Sequence, residues 1–226
     1  MAHENQCRQC GACCEKGGPA LHTGDLELIA QGALSLDHLI TIRKNELAFD
    51  PVKNAVEPVK EELVKISGVK GTWACRFYNT PSHGCTVYEV RPQACRVLQC
   101  WDTEAILALS GRELLSRSDI LENTPSLKET VAQHEACYPC PDMEMIARKG
   151  PRSSRKVVTS LEALITGELA HRSAAVNAHN MTVSMEMFCF GRPLFQLFQA
   201  LGCQIRETPK GLKLKFSRKK KDLRQQ

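Results

Sequence analysis

Four cysteines stand close together near the start of the chain, in the stretch CRQCGACC, and they could bind a metal. They are Cys7, Cys10, Cys13 and Cys14. Thiolates bind zinc, Cu(I) and the iron of iron–sulfur clusters. A Cys-x-x-Cys pair reverses the backbone so that both sulfurs face one centre, and here a third cysteine follows at the same spacing. Four thiols within eight residues therefore predict a metal site rather than buried packing residues.

The spacing favours an iron–sulfur cluster over zinc. Three cysteines two residues apart are the arrangement that holds a [4Fe–4S] cluster in bacterial ferredoxins, where the fourth ligand comes from elsewhere in the chain. Gly11, between Cys10 and Cys13, relaxes the backbone that must wrap around such a centre. Cys14 directly follows Cys13, and because adjacent side chains start in different directions, Cys14 could serve a second metal. We therefore expect a [4Fe–4S] cluster, with zinc as the alternative.

More cysteines follow, and four of them could complete this cluster or build a second site: Cys75, Cys85, Cys95 and Cys100. Their spacing is not that of a zinc finger. The predicted ligands are thus all eight cysteines up to residue 100. Cys137 and Cys140 form another Cys-x-x-Cys pair, for which ligation and packing both stay open. Cys189 and Cys203 lie in apolar contexts and are predicted to be buried.

Histidine adds little to this pattern. None of the seven histidines pair at the His-x-x-x-His spacing of a helical zinc site. His22 and His83 lie near the cysteine segments and could ligate, but we interpret both as surface or supporting residues.

Composition, together with the lack of a signal segment, predicts a reducing environment for the thiols. Hydrophobic residues make up 42% and charged residues 24% of the 226 residues, as in soluble globular proteins. No apolar stretch follows Met1 as a secretory signal would, and no run of 18 apolar residues could span a bilayer. We expect a cytoplasmic protein without a membrane partner. Twelve cysteines there favour metal or redox chemistry over disulfides.

Positive charge is concentrated in the C-terminal part of the chain. Residues 151–226 hold 14 Lys and Arg against 5 Asp and Glu, a net charge of +9, whereas residues 1–150 carry −4. A solvated face with a charged tail is the simplest interpretation. Aromatic residues are 5% of the chain and none interleaves with the charges of the tail, so base stacking is not supported. The sequence thus argues against a nucleic-acid partner, while a protein partner and the oligomeric state stay open.

The elements that would position the cysteines predict an α+β fold, mostly helical, with short strands around the metal site and a C-terminal hairpin. Apolar spacing predicts a helix ending at Gly32 and a second helix over SLDHLITIRK, capped by Ser35. Residues 46–67 predict strand or loop pieces. TWACRFY and GCTVYEV predict short strands, and Pro92 predicts the start of a helix that carries Cys95.

The second half is predicted to be helical up to a final hairpin. Ser126 with Glu129, and Thr159 with Glu162, have the spacing of capping boxes. CQIRETPKGLKLKF alternates around a Pro-Lys-Gly turn, which predicts the hairpin. The predicted domains are a cysteine-rich domain at 1–100, a mostly helical extension at 101–217 and a basic tail at 218–226.

The two cysteine blocks together resemble the YkgJ-type CxxCxxCC family. CRQCGACC, the single Cys75 in ACRFY, and GCTVYEVRPQACR are similar to its pattern, over about residues 5–100. Outside the cysteines the similarity includes Gly11, Tyr88, Glu89, Arg91, Pro92 and Arg96. The resemblance implies a zinc- or iron-chelating domain. Within the second block, Arg91 and Arg96 could donate hydrogen bonds to the sulfurs or form ordinary ion pairs with Glu89.

These observations favour a cytosolic metal-binding protein that holds an iron–sulfur cluster or zinc. One alternative is an iron–sulfur-dependent enzyme, because some relatives of the family look like protein lysine N-methylases. The chain has no Gly-x-Gly-x-Gly loop, no Cys-x-x-x-Cys-x-x-Cys motif and no P-loop, so enzymatic activity stays open. The other alternative is a zinc-stabilised interaction module.

Overall fold

A computed structural model of the chain describes residue 7 and residues 9–69, 72–209 and 211–216. The helices are α1 (Ala12–Glu15), α2 (Leu26–Ala30), α3 (Gln93–Val97), α4 (Glu104–Leu109), α5 (Arg117–Ile120), α6 (Pro125–Cys137), α7 (Met143–Lys149), α8 (Arg155–His179), α9 (Val183–Phe190) and α10 (Leu194–Ala200). The strands are β1 (Leu39–Ile42), β2 (Leu47–Asp50), β3 (Ala55–Pro58), β4 (Leu63–Ile66), β5 (Tyr78–Asn79), β6 (Gly84–Cys85), β7 (Gln204–Thr208) and β8 (Gly211–Lys215). This is the predicted α+β fold, with its strands in two-stranded sheets.

The chain divides into two compact units. Residues 1–40 and 63–123 form the first unit, and residues 41–62 and 124–226 form the second. The predicted domains at 1–100 and 101–217 stay a prediction, because compact units need not coincide with domains. The predicted tail at 218–226 lies outside the described residues. No helix among the described residues is long and apolar enough to cross a membrane.

The first unit has a small apolar core around the pairing of β1 with β4. Leu21, Leu39 and Ile66 have no exposed surface. The Leu21 amide donates to the Val64 carbonyl at 2.8 Å, and the Ile66 amide donates to the Pro19 carbonyl at 2.9 Å. These hydrogen bonds hold the segment after α1 against β4, so they fix the position from which the N-terminal cysteine segment extends.

The second helix predicted in the N-terminal region is wrong. Ser35 precedes only one 3-10 turn, Leu36–His38, after which Leu39–Ile42 form β1. The β-branched side chains of Ile40, Thr41 and Ile42 favour an extended backbone over a helix. The strand pieces predicted at 46–67 are confirmed as β2, β3 and β4.

The second unit packs α7, α8, α10 and the β7–β8 hairpin around one core. Its buried members are Cys140, Met143, Ile146, Ile165, Leu194, Leu197, Phe198, Cys203 and Leu214. The predicted C-terminal hairpin is confirmed, with Gln204 opposite Lys215 and Thr208 opposite Gly211. The burial predicted for Cys189 and Cys203 is confirmed too.

Both capping boxes predicted in this unit are wrong. Helix α6 starts at Pro125, which suits a first helical position, so Ser126 lies inside the helix. Helix α8 begins at Arg155, five residues earlier than a cap at Thr159 would place its start. The Ser154 hydroxyl accepts from the Val157 amide and caps the helix there. Glu162 instead accepts from the Leu214 amide at 3.0 Å, which anchors the hairpin to α8.

A buried charge network centres on Glu168 of α8. Its Oε1 accepts from Arg172 Nε at 3.0 Å and lies 3.5 Å from Arg43 Nη1 and from His134 Nε2. Its Oε2 accepts from the Leu194 amide at 2.8 Å. The side chains of Glu168, Arg43 and His134 have no exposed surface. Charges buried so deeply are tolerated only beside partners of opposite sign, so this network fixes several elements of the unit together.

His134 should make the second unit sensitive to acid. Neither of its ring nitrogens has a hydrogen-bond partner among the described residues. Burial first, opposed by the nearby Glu168 carboxylate but helped by the charges of Arg43 and Arg172, lowers the pKa of His134 from 6.5 to about 4. The unfolded chain therefore takes up this proton near pH 6.5, whereas the folded chain takes it up only near pH 4. We expect the free energy of unfolding to fall by about 3 kcal/mol as the pH drops through that window.

Urea unfolding followed by circular dichroism at 222 nm, at several pH values, measures this loss. A His134→Gln variant lacks the titrating ring and should show a shallower dependence on pH between 6.5 and 4. Equal slopes in the variant and the parent protein would assign the acid sensitivity to other groups.

Candidate metal centre

The N-terminal cysteine segment leads into the short helix α1. Cys7, Cys10 and Cys13 are exposed and Cys14 is half-buried. The sulfurs of Cys13 and Cys14 lie 3.9 Å apart. Gly11 precedes α1 with φ +78°, in the left-handed region that favours glycine. The segment therefore turns sharply between Cys10 and Cys13, as the sequence predicted for a chain that wraps a centre.

A second segment brings Cys75 against this turn. The Cys75 amide donates to the Cys14 carbonyl at 2.7 Å. Cys75 itself is buried, with 7% of its surface exposed. The two residues are 61 positions apart in the chain, so a tertiary contact joins their backbones.

The β5–β6 pair brings in Cys85. Tyr78 of β5 lies opposite Cys85 of β6. The Tyr78 amide donates to the Cys75 carbonyl at 2.9 Å, so Cys75 and Cys85 are held by the same turn and strand pair.

Of the two predicted strands, TWACRFY contributes only Tyr78 to β5, and GCTVYEV contributes only Gly84 and Cys85 as β6. Cys75 instead lies in an isolated bridge with Gly68, and Tyr88–Val90 form a 3-10 turn, so most of both predictions is wrong.

Helix α3 carries Cys95, and Asp25 holds the start of that helix. Pro92 directly precedes α3, as predicted. The buried Asp25 carboxylate accepts from the Gln93 amide at 2.7 Å and from the His22 amide at 3.0 Å. Negative charge near a helix N-terminus is favourable. Asp25 therefore ties the helix of Cys95 to the segment that follows the N-terminal cysteines.

Electrostatics show that five of the thiols lie near one another. Burial first, then repulsion from Cys13, Cys75 and Cys85, raise the pKa of Cys14 to about 12. Burial and repulsion from Cys75, Cys13 and Cys85 raise the pKa of Cys95 to about 12 as well. Repulsion of this kind falls off with distance, so these sulfurs form one group. The thiols of Cys14 and Cys95 therefore stay protonated until a cation replaces their protons, which is the chemistry of a thiolate metal site.

Cationic side chains border this group. Arg91 stacks on the Tyr88 ring, 3.9 Å from its centroid, and interacts electrostatically with Cys7 and Cys95. Lys65 lowers the pKa of Cys75, against the larger opposing effect of burial. Positive charge so placed offsets the negative charge of a thiolate-rich centre.

Arg96 has another role. Its Nη1 donates to the Arg91 carbonyl at 2.8 Å, and its Nη2 lies 4.0 Å from Asp25. Hydrogen bonds from Arg91 to the sulfurs stay a prediction, whereas the carboxylate partner of Arg96 is Asp25 rather than Glu89.

Electrostatic interactions thus link Cys13, Cys14, Cys75, Cys85 and Cys95 within the first unit, and their ligation of one metal stays a prediction. Two more thiols border this group, since Arg91 interacts with Cys7 and Tyr78 interacts with Cys10. Cys100 lies exposed in the turn where Gln99 and Asp102 are bridged, and its ligation stays a prediction.

The donor set fits a thiophilic metal, although its coordination sphere is open. Within the described part of the chain, no three Cys, His, Asp or Glu side chains already stand where they could hold a metal ion. To complete the coordination, the exposed thiols would have to move: Cys7 and Cys10, which precede α1, and Cys13, which lies in it. Zinc and iron–sulfur centres both accept such a set of thiolates.

The remaining candidates belong to the second unit or have other partners in the first. Cys137 ends α6 exposed and Cys140 is buried in the core of the second unit. His22 is buried, with its Nδ1 2.8 Å from the Arg112 carbonyl oxygen, so it is a supporting residue. His83 lies with its Nδ1 3.3 Å from the Tyr78 hydroxyl.

Sequence reasoning missed Tyr78, whose ring covers Gly11. A Cβ added at Gly11 would overlap the phenol ring. The phenol oxygen lies 3.4 Å from Glu15 Oε1, so the ring joins both ends of the N-terminal turn. No spacing rule links Tyr78 to Gly11, and only its place three residues after Cys75 could have suggested a role.

A Gly11→Ala variant should lose metal. Alanine at φ +78° is strained, and its Cβ would push the Tyr78 ring from the turn, so we expect a loss of about 1–3 kcal/mol in the first unit. Metal content per chain and thermal unfolding measure the effect.

Gly111 provides the matched control, because its φ is +73° and an added Cβ would meet nothing within 4 Å. Gly111→Ala carries the backbone strain without the overlap and should keep its metal. Equal metal loss in both variants would show that backbone strain alone causes it, and would contradict a role for the contact between Gly11 and the Tyr78 ring.

Fold and site together define an α+β protein with a thiolate-rich site of the kind that binds zinc or iron. A family model agrees: the CxxCxxCC family, described as "Putative zinc- or iron-chelating domain", matches residues 6–138. The chain belongs to this family. The match extends past residue 100, where the recognisable motifs end. No curated protein and no solved structure matches the chain significantly.

Proposed function

We propose that the chain is a cytoplasmic iron–sulfur protein whose first unit holds a [4Fe–4S] cluster. The single observation that supports the proposal is that Cys13, the last thiol of the ferredoxin-spaced run Cys7, Cys10 and Cys13, interacts electrostatically with Cys75 and Cys95. Ferredoxin-type runs supply three ligands and take the fourth from elsewhere. The grouped thiols are the source of that fourth ligand here.

The surroundings suit such a centre. When bound, the cluster would supply a one-electron redox centre. Arg91 and Lys65 place positive charge beside the thiols, and the buried Cys75 anchors one side of the group. Cys7, Cys10 and Cys13 are exposed, so a protein partner could approach that side for electron transfer or cluster delivery. Cys14 is available to a second metal or as an exchange ligand.

Purification of the full chain without oxygen tests this proposal. We expect a brown protein with about four iron and four acid-labile sulfide per chain and absorption near 400 nm that bleaches with dithionite. A colourless protein with stoichiometric zinc and no sulfide would overturn the proposal and favour a zinc-stabilised interaction module.

A further inference from the structure

The short helix α4 of the first unit is apolar along most of its length but is not buried. Its sequence is EAILAL, and none of its six residues is buried. Leu107 keeps 38% of its surface exposed, and Trp101, just before the helix, keeps 42%. A helix that is apolar on most sides is normally enclosed by a core. The exposed apolar surface of α4 therefore indicates a binding role rather than packing within the chain.

One side of α4 faces the body of the first unit and the other side faces solvent. Helix α4 packs against α3. Ile106 and Leu109 are half-buried and lie three residues apart, so they share one side of the helix. Glu104, Leu107 and Ala108 are exposed and lie three or four residues apart, so they share the opposite side. We name this exposed side the α4 face.

Hydrogen bonds fix the chain at both ends of the α4 face. At its start, the Glu104 amide donates to Asp102 Oδ1 at 3.0 Å. This turn keeps Trp101 beside the first turn of the helix. At its end, the Arg112 amide donates to the Leu109 carbonyl at 3.1 Å. A partner would therefore meet a surface that is already formed, which lowers the entropy cost of binding.

The two ends of the α4 face differ in charge. Asp102 and Glu104 are exposed at its start, whereas Arg112 and then Glu113 are exposed at its end. The start thus carries two negative charges, and the charges at the end cancel. Parallel pairing of two α4 helices would bring four carboxylates together, which is unfavourable. Antiparallel pairing separates the two acidic starts and places each of them beside the partner's Arg112.

The α4 face is therefore complementary to itself, and the occupant that fits it is a second copy of the chain. Use of the same patch on both copies is the arrangement of a twofold dimer. The short side chains of Ala105 and Ala108 allow two helices to approach closely, and Leu107 supplies apolar contact area. We propose that the chain forms a dimer through α4, with the two α4 helices antiparallel.

Sedimentation of the full metal-loaded chain at increasing concentration tests the proposal. We expect the mass to rise from 25.2 kDa toward twice that value between about 1 and 100 μM, because a small interface gives a weak dimer. Leu107→Arg should raise the dissociation constant of the dimer about tenfold or more, since the interface would then bury an unmatched charge. A chain that stays monomeric at the highest concentration would overturn the proposal.

Charge reversal tests the antiparallel arrangement. Glu104→Arg alone or Arg112→Glu alone places like charges together and should raise the dissociation constant about tenfold. The double variant Glu104→Arg/Arg112→Glu restores opposite charges, so its dissociation constant should return to within about threefold of the parent value. A double variant that dimerises no better than the single variants would show that the two ends do not meet, and the proposed dimer would be wrong.

Val52→Arg is the matched control for Leu107→Arg. Val52 is also apolar and is 60% exposed, but it lies in the second unit. This variant should keep the parent dissociation constant, and circular dichroism at 222 nm should match the parent in both variants. Equal weakening of the dimer by Val52→Arg and Leu107→Arg would overturn the proposal, because added charge alone would then explain the loss.

Discussion

Serine at both Cys10 and Cys13 should abolish metal binding by the chain. Each substitution replaces a thiolate by a hydroxyl, which does not ionise at neutral pH and is a poor ligand for zinc or iron. Because metal sites of this kind contribute on the order of 10 kcal/mol, losing two ligands should weaken binding at least about 10³-fold. Metal content of the purified variant should fall below about a tenth of the parent value.

The two tryptophans provide a local readout of this loss. Trp73 and Trp101 are both in the first unit, beside Cys75 and Cys100 in sequence. The longest helices, α6 and α8, belong to the second unit. Tryptophan emission should therefore change in the variant, while most of the circular dichroism at 222 nm is kept.

Cys137→Ser is the control for this experiment. Cys137 is exposed, like Cys10 and Cys13, but ends a helix of the second unit. We expect it to keep the parent metal content. Full metal content in the Cys10→Ser/Cys13→Ser variant would contradict the ligand assignment, and loss of metal in Cys137→Ser would add that thiol to the ligands.

Much of the candidate site could be predicted from sequence because its chemistry is local. Spacing alone identified the turn at Gly11 and the helix that starts after Pro92 and carries Cys95. What spacing could not supply is how separate segments meet. Asp25 reaches Gln93 across more than sixty residues, and no periodicity in either segment records that contact.

The fold errors have a similar physical origin. LITI was predicted as helix because it follows Ser35, a candidate N-cap, yet pairing with β4 and the β-branched side chains make it a strand. Thr159 and Glu162 have the local pattern of a cap, but the carboxylate of Glu162 is used by Lys213 and the Leu214 amide of the hairpin. In both places a tertiary contact decides between local alternatives.

The same limit applies to the buried charges. Nothing in the sequence marks Glu168 and Arg172 as more than an exposed pair one helical turn apart, worth a few tenths of a kcal/mol. Burial changes that expectation, because a carboxylate with no exposed surface must be matched by its neighbours.

Glu168→Gln should therefore destabilise the second unit by about 3–5 kcal/mol, since it removes the fully buried carboxylate of the network. Arg172 and Arg43 would both lose this carboxylate, and neither guanidinium can become neutral by losing its proton. They would keep only their more exposed carboxylate partners, Glu186 and Glu135. Urea unfolding followed at 222 nm at pH 7 measures the loss. Metal content should not change, because the contacts of Glu168 involve no cysteine.

Glu186→Gln is the matched control because Glu186 pairs with the same arginine at 3.1 Å but has a side chain that is 20% exposed. Water can replace part of that interaction, so we expect a loss of about 1 kcal/mol or less. If both variants lose the same stability, then burial does not set the strength of these pairs. A large loss for Glu168→Gln alone would identify this carboxylate as the group that holds Arg43 and α8 together.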